Sequence, residues 1–175
     1  MREAILKYKN RKKEKTPKVS LSDIMPDSHA VLVLADDATD DASSISRIIE
    51  DIQKAGLNAE VILFRKNQAM DPQSVNSFLN VSAKSFDRWG RVLSPELNEI
   101  LDRHFEFLLC LTSKVSAYSK FVMLHSNARF KLGSYDTEKV AGLDLLLKSE
   151  EDSGLWERYE LIKTYLLLLA KPVNL

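Results

Sequence analysis

Apolar residues in this chain arrive in two rhythms. Ala30–Ala35 (AVLVLA), Ala59–Phe64 (AEVILF) and Phe105–Leu111 (FEFLLCL) are short, nearly continuous apolar runs, the pattern of strands covered on both faces. Between the first two, Ile45, Ile48, Ile49 and Ile52 follow the i, i+3, i+4, i+7 spacing of an amphipathic helix. Asp40 or Asp41 is placed to cap its start, and Gly56 stands just past Ala55 as a stop. Strand, helix and strand within about 35 residues predict a βαβ unit with parallel strands and a right-handed crossover.

The rhythm weakens from Arg65 to Leu93, where Met70-Asp71-Pro72 and Trp89-Gly90 mark turns and Val75–Asn80 reads as a short helix. Ser94-Pro95 restores order. A capping serine followed by proline at the first helical position opens a helix to about Arg103, with Leu97, Ile100 and Leu101 inward. After Phe105–Leu111, the segment Ser116–Ser126 places Tyr118, Phe121, Val122 and His125 on one helical stripe. Ala128–Gly133 (ARFKLG) alternates like a strand, and Leu143–Leu147 (LDLLL) reads as another. Gly154–Ala170 closes the pattern as a helix with Leu155, Tyr159, Ile162, Leu166 and Leu169 on one face, and Pro172 prevents its continuation. Alternating elements of this kind place the chain in the α/β class: a three-layer αβα sandwich, Rossmann-like or flavodoxin-like, with a mostly parallel sheet of about five strands.

Composition sets limits on function. The 175 residues suit one domain, with 45% apolar and 29% charged residues, a globular balance. The lone Cys110 cannot form an intramolecular disulfide or a multi-cysteine zinc site, which points to a reducing, cytoplasmic setting. No run approaches the roughly 18 apolar residues of a membrane span, and Ala4, Ile5 and Leu6 are too few for the core of a secretory signal.

Lys and Arg total 25 and so do Asp and Glu, yet the neutral sum hides a segregation. Residues 1–18 carry eight basic side chains against two acidic ones, a net of +6, so the remainder sums to −6. This divides the chain into a basic, helical arm (1–18) and a single α/β domain (19–175). Lys7, Lys9, Arg11, Lys12, Lys13 and Lys15 concentrate enough positive potential to meet an acidic macromolecule, RNA or an acidic protein. The plain alternative is a solvated, frayed helix, or an arm docked on its own acidic domain.

In parallel α/β sheets, ligands bind beyond the carboxyl ends of the strands, near the reversal of strand order. Two segments fall there: Asp36-Asp37-Ala38-Thr39-Asp40-Asp41 and Thr112-Ser113-Lys114. The acidic loop, with the carboxylates of Asp36, Asp37, Asp40 and Asp41, could hold magnesium, and Asp36 and Asp37 with Thr112, Ser113 and Lys114 are the candidate ligand-binding residues, the last three facing an anion. The structural alternative has Asp40 and Asp41 capping the helix, Asp36 and Asp37 ending the strand in solvent, and Lys114 as a surface lysine. Neither G-x-G-x-x-G nor G-x-x-x-x-G-K-[ST] occurs, which removes the backbone cradle of dinucleotide and P-loop sites. His29, His104 and His125 form no metal-ligand spacing, and Cys110 lies inside an apolar strand. No cofactor, resident metal or catalytic set is therefore expected.

Three resemblances follow from these residues. Ala30–Phe64, with its acidic pair after the first strand, resembles the opening of phosphorelay receiver domains. A receiver implies a phosphoacceptor aspartate at the end of its third strand, where this chain has Cys110-Leu111-Thr112. The run Phe105–Tyr135, followed by Leu143–Glu151, a closing helix and the Trp89-Gly90 pair, is similar to an uncharacterised family of small Bacteroidota proteins. That likeness implies a basic N-terminal helix on a Rossmann-like domain, with an aspartate where Cys110 stands. The strand–helix–strand run ending in Ala128–Gly133 is also similar to the N-terminal half of heptosyltransferase-type glycosyltransferases, which implies a solitary acceptor-type domain without the donor half. The expected role is a binding module that uses its basic arm. The alternatives are a small-molecule or sugar-nucleotide binder and a receiver-like regulatory domain.

Overall fold

In the computed structural model, residues 30–36, 42–64, 78–135, 140–150 and 152–169 are described. The strands are β1 (Ala30–Asp36), β2 (Asn58–Phe64), β3 (Phe78–Val81), β4 (His104–Cys110), β5 (Asn127–Tyr135) and β6 (Leu145–Lys148). The helices are α1 (Ala42–Lys54), α2 (Pro95–Asp102), α3 (Ala117–His125) and α4 (Leu155–Leu169), with a 3-10 turn at Ala83–Ser85. The strands form one parallel sheet in the order β3-β2-β1-β4-β5-β6. This is the Rossmann order, and it differs from the 2-1-3-4-5 order of flavodoxins and receivers.

The apolar runs explain the three layers. Alternate residues of β1 point to opposite faces: Val31, Val33 and Ala35 pack with Ile45, Ile48 and Ile52 of α1 and with Leu155, Tyr159 and Ile162 of α4. Leu32 and Leu34 pack on the other face with Leu97, Ile100 and Leu101 of α2 and with Phe121, Val122 and Met123 of α3. Each central strand therefore needs apolar residues at successive positions, and that need produced the continuous runs.

The punctuation read from the sequence holds where it is described. Gly56, at φ +81°, ends α1; its N–H donates to the Gln53 carbonyl and that of Leu57 to the Ile52 carbonyl, a Schellman closure. The Ser94 hydroxyl accepts from the Leu97 N–H at 3.2 Å, with Pro95 at the first helical position. Ser116 caps α3 in a reciprocal arrangement with Ser119. Asp40 and Asp41, the expected caps of α1, lie outside the described residues.

Three expectations need correction. Phe78, Leu79 and Asn80, expected in a short helix, belong to edge strand β3, which pairs with Val61–Phe64 and brings the sheet to six strands among the described residues, where about five were expected. Ala128–Gly133 does not alternate between buried and exposed positions. From Phe130 to Tyr135 every residue of β5 is buried, and Lys131 is accommodated because its Nζ donates to the carbonyls of Met123 (2.6 Å) and Ser126 (3.0 Å) at the end of α3. The closing strand begins two residues later than expected, at Leu145.

Candidate functional site

The strand order reverses between β1 and β4, so the carboxyl ends of these two strands are where a Rossmann-type sheet opens toward a ligand. The register Leu34↔Cys110 brings Asp36, at the end of β1, beside the segment that follows β4. One carboxylate oxygen of Asp36, Oδ2, accepts both the Ser113 N–H and the Ser113 hydroxyl, each at 2.6 Å. The Leu111 N–H extends the β1–β4 ladder by donating to the Leu34 carbonyl at 2.8 Å. From the opposite layer, Arg158 of α4 donates through Nη1 to the Leu111 carbonyl at 2.6 Å and through Nε to Ser153. Asp36 and Arg158 thus tie the β4–α3 loop down from two sides.

Beneath that loop lies a buried polar cluster. The Tyr135 hydroxyl at the end of β5 is 2.9 Å from Cys110 Sγ and 2.5 Å from Thr112 Oγ1. Cys110 and Thr112 are wholly buried. Burial pushes the Cys110 thiol pKa up, against the downward pull of its hydrogen bonds to Tyr135 and Thr112. Burial, reinforced by the neighbouring thiol, likewise raises that of Tyr135. Each group stays neutral and bonded to the others, which suits a packed cluster and not a thiolate nucleophile.

The structure therefore brings Asp36, Thr112 and Ser113 to one strand end, with Asp36 bonded to Ser113 and Thr112 bonded to Tyr135 and Cys110. Lys114 is exposed on the same loop. Asp37 lies outside the described residues, as do Lys7, Lys9, Arg11, Lys12, Lys13 and Lys15. Among the described residues, no group of three or more His, Cys, Asp or Glu side chains could hold a metal ion. The His125 Nδ1–H donates to the Phe121 carbonyl at 2.9 Å, and the imidazole stacks on the Phe121 ring at 3.9 Å. No helix among the described residues is long and apolar enough to cross a membrane.

A second surface at the carboxyl edge was signalled in the sequence only as a turn. After β3 the chain forms a hairpin in which Phe86 and Val92 pair antiparallel, with Arg88-Trp89-Gly90-Arg91 at its tip. Phe86 is fully buried, stacked on Tyr118 and edge-on to Phe121, each at 5.3 Å. Trp89, in contrast, is 55% exposed, with the Arg88 guanidinium 4.9 Å from its ring centre. The signal available in the sequence was a tryptophan with arginines on both sides. Tyr135 and Arg158 had no such local signature, because their partners are remote in the chain.

Fold and strand order define a Rossmann-like α/β domain with a doubly wound, all-parallel sheet. More narrowly, a profile described as "Family of unknown function (DUF6913)" matches residues 2–169, and the chain belongs to that family. The matched span includes the basic segment. Neither the curated proteins nor the solved structures yield a significant match.

Proposed function

We propose that this protein is a binding module for an acidic macromolecule, RNA in the first place, engaged through the basic segment 1–18. The observation that carries the reading is the segregation of charge, +6 over those residues and −6 over the rest. Cations so close together create a potential that dispersed ones do not, and neutralised phosphates release counterions on binding. RNA is preferred over an acidic protein because the segment offers Ile5, Leu6 and Tyr8 but no larger apolar anchor of the kind that centres protein interfaces. The engagement of Asp36, Ser113, Thr112, Cys110 and Tyr135 with one another supports it further, since these groups already have partners within the fold.

The test is fluorescence anisotropy of a labelled 20-nucleotide single-stranded RNA against the full chain and a variant with Lys7, Lys9, Arg11, Lys12, Lys13 and Lys15 changed to Gln. The full chain should bind with log affinity falling steeply with log salt, by about 0.7 per phosphate neutralised, and the variant should lose most of both. Equal binding by the two proteins, or binding indifferent to salt, would overturn the reading. A second reading, a sugar-nucleotide or other small-molecule domain akin to half of a glycosyltransferase, draws on the Rossmann strand order. A thermal shift with millimolar sugar nucleotide but not with RNA would favour it.

A further inference from the structure

We propose that the Phe86–Val92 hairpin is a base-stacking contact for single-stranded nucleic acid, with Trp89 as the stacking face and Arg88 and Arg91 as phosphate partners. This deepens the reading above and rests on it: the basic segment supplies long-range attraction, and the hairpin supplies contact with the bases.

The first support is that Trp89 is exposed by construction. The Asp87 N–H donates to the Arg91 carbonyl at 2.9 Å and the Gly90 N–H to the Asp87 carbonyl at 3.1 Å. Asp87 Oδ1 accepts the N–H groups of Trp89 (2.7 Å) and Arg91 (2.8 Å). Gly90 sits at φ +72°, a conformation that a side chain would strain, and Leu93 closes the base by donating to the Ser85 carbonyl at 2.8 Å. Buried Phe86 fixes the hairpin to the first turn of α3. A large apolar ring is therefore held in water by a turn whose backbone is bonded at Asp87, Trp89, Gly90, Arg91 and Leu93, so little conformational freedom remains to be lost on binding.

The second support is charge. Residues 82–94 contain Lys84, Arg88 and Arg91 against Asp87, a net of +2 within a body that sums to −6. All three cations are exposed, and the Asp87 carboxylate is turned to backbone N–H groups. The β4–α3 loop, which leads into the turn that Phe86 packs on, adds exposed Lys114. A rigid indole bordered by guanidinium groups matches a base with its flanking phosphates. Every base has a π-face, and arginine contributes both charge and cation–π attraction.

Trp156 is the other tryptophan, half-buried with the Arg47 guanidinium 3.7 Å from its ring centre. W156F in the full chain makes Trp89 the sole indole reporter. Titration with oligouridine should quench its fluorescence in step with the anisotropy signal. W89A should weaken binding about tenfold without changing the salt slope, and R88Q/R91Q should weaken it and flatten the slope. Binding by anisotropy with Trp89 fluorescence unmoved and W89A unimpaired would overturn the hairpin contact and leave the basic segment standing. Polyglutamate quenching as strongly as oligouridine would also overturn it, because the hairpin would then be reading charge alone. No binding by any of these proteins would overturn both proposals.

Discussion

Two regions of the carboxyl edge treat the same chemical resources in opposite ways. At the β1–β4 switch point, Asp36, Ser113, Cys110, Thr112 and Tyr135 form hydrogen bonds among themselves, and Cys110 and Thr112 see no solvent. On the hairpin after β3, Asp87 satisfies the backbone and leaves Arg88, Trp89 and Arg91 in water. Polar groups bonded inside a fold contribute to its stability. Groups held out from it by a rigid turn contribute little stability and are placed to contribute binding. Among the described residues, Cys110, Thr112 and Tyr135 beneath the β4–α3 loop are thus the better packed of the two sets.

Substitutions test this contrast in descending order of effect. Phe86→Ala removes a fully buried ring between Tyr118 and Phe121 and should cost about 3–5 kcal/mol in urea unfolding. A much smaller loss would mean that the hairpin is not anchored as described. Tyr135→Phe deprives Cys110 and Thr112 of their shared partner and should cost about 1–2 kcal/mol. In the native wild type, Cys110 should resist a disulfide reagent at pH 8 and react fully in denaturant, since burial both covers the thiol and raises its pKa. Rapid native labelling would show an open switch point.

Asp51→Asn probes the same principle between α1 and α4, where Asp51 Oδ2 accepts from the Tyr159 hydroxyl and from Lys163 Nζ, each at 2.7 Å. The Lys163 bond, followed by that of Tyr159, lowers the Asp51 pKa below its usual value. Its contribution is therefore full above the ordinary carboxylate value of about 4 and disappears as pH falls through the lower folded value. The substitution should cost about 1 kcal/mol at pH 7, and the difference from wild type should vanish in acid. A difference independent of pH would assign the effect to packing. Trp89→Ala should change stability least, within about 0.5 kcal/mol, because the ring is mostly in solvent. A large loss in calorimetry would place Trp89 with the packed groups.

Residues with local consequences were legible in the sequence. Gly56 stops α1, Ser94-Pro95 and Ser116 open α2 and α3, and the continuous runs of β1 and β4 announced burial on both faces. Strand β3 was missed because four residues with Asn80 exposed and Phe78 and Leu79 half-buried carry no periodicity. Only pairing with Val61–Phe64 makes them a strand. Asp36 and Thr112–Lys114 were legible as strand-end groups, but the bonds that occupy Asp36, Thr112 and Ser113 were not. Ser113 lies 77 positions from Asp36, and Tyr135 meets Cys110 only because of the β4–β5 register.

The α/β class, the helix boundaries near Gly56, Ser94 and Ser116, and the division of charge between residues 1–18 and the rest can be read from the chain alone. These follow from periodicity, backbone preference and simple count, all of which act locally. Long-range packing set the Rossmann strand order, the tethering of the β4–α3 loop by Asp36 and Arg158, and the display of Trp89 above a buried Phe86. Strand order and side-chain partnership depend on which remote segments pack together. Whether a polar group is bonded within the fold or held out to solvent is fixed only when that packing is complete.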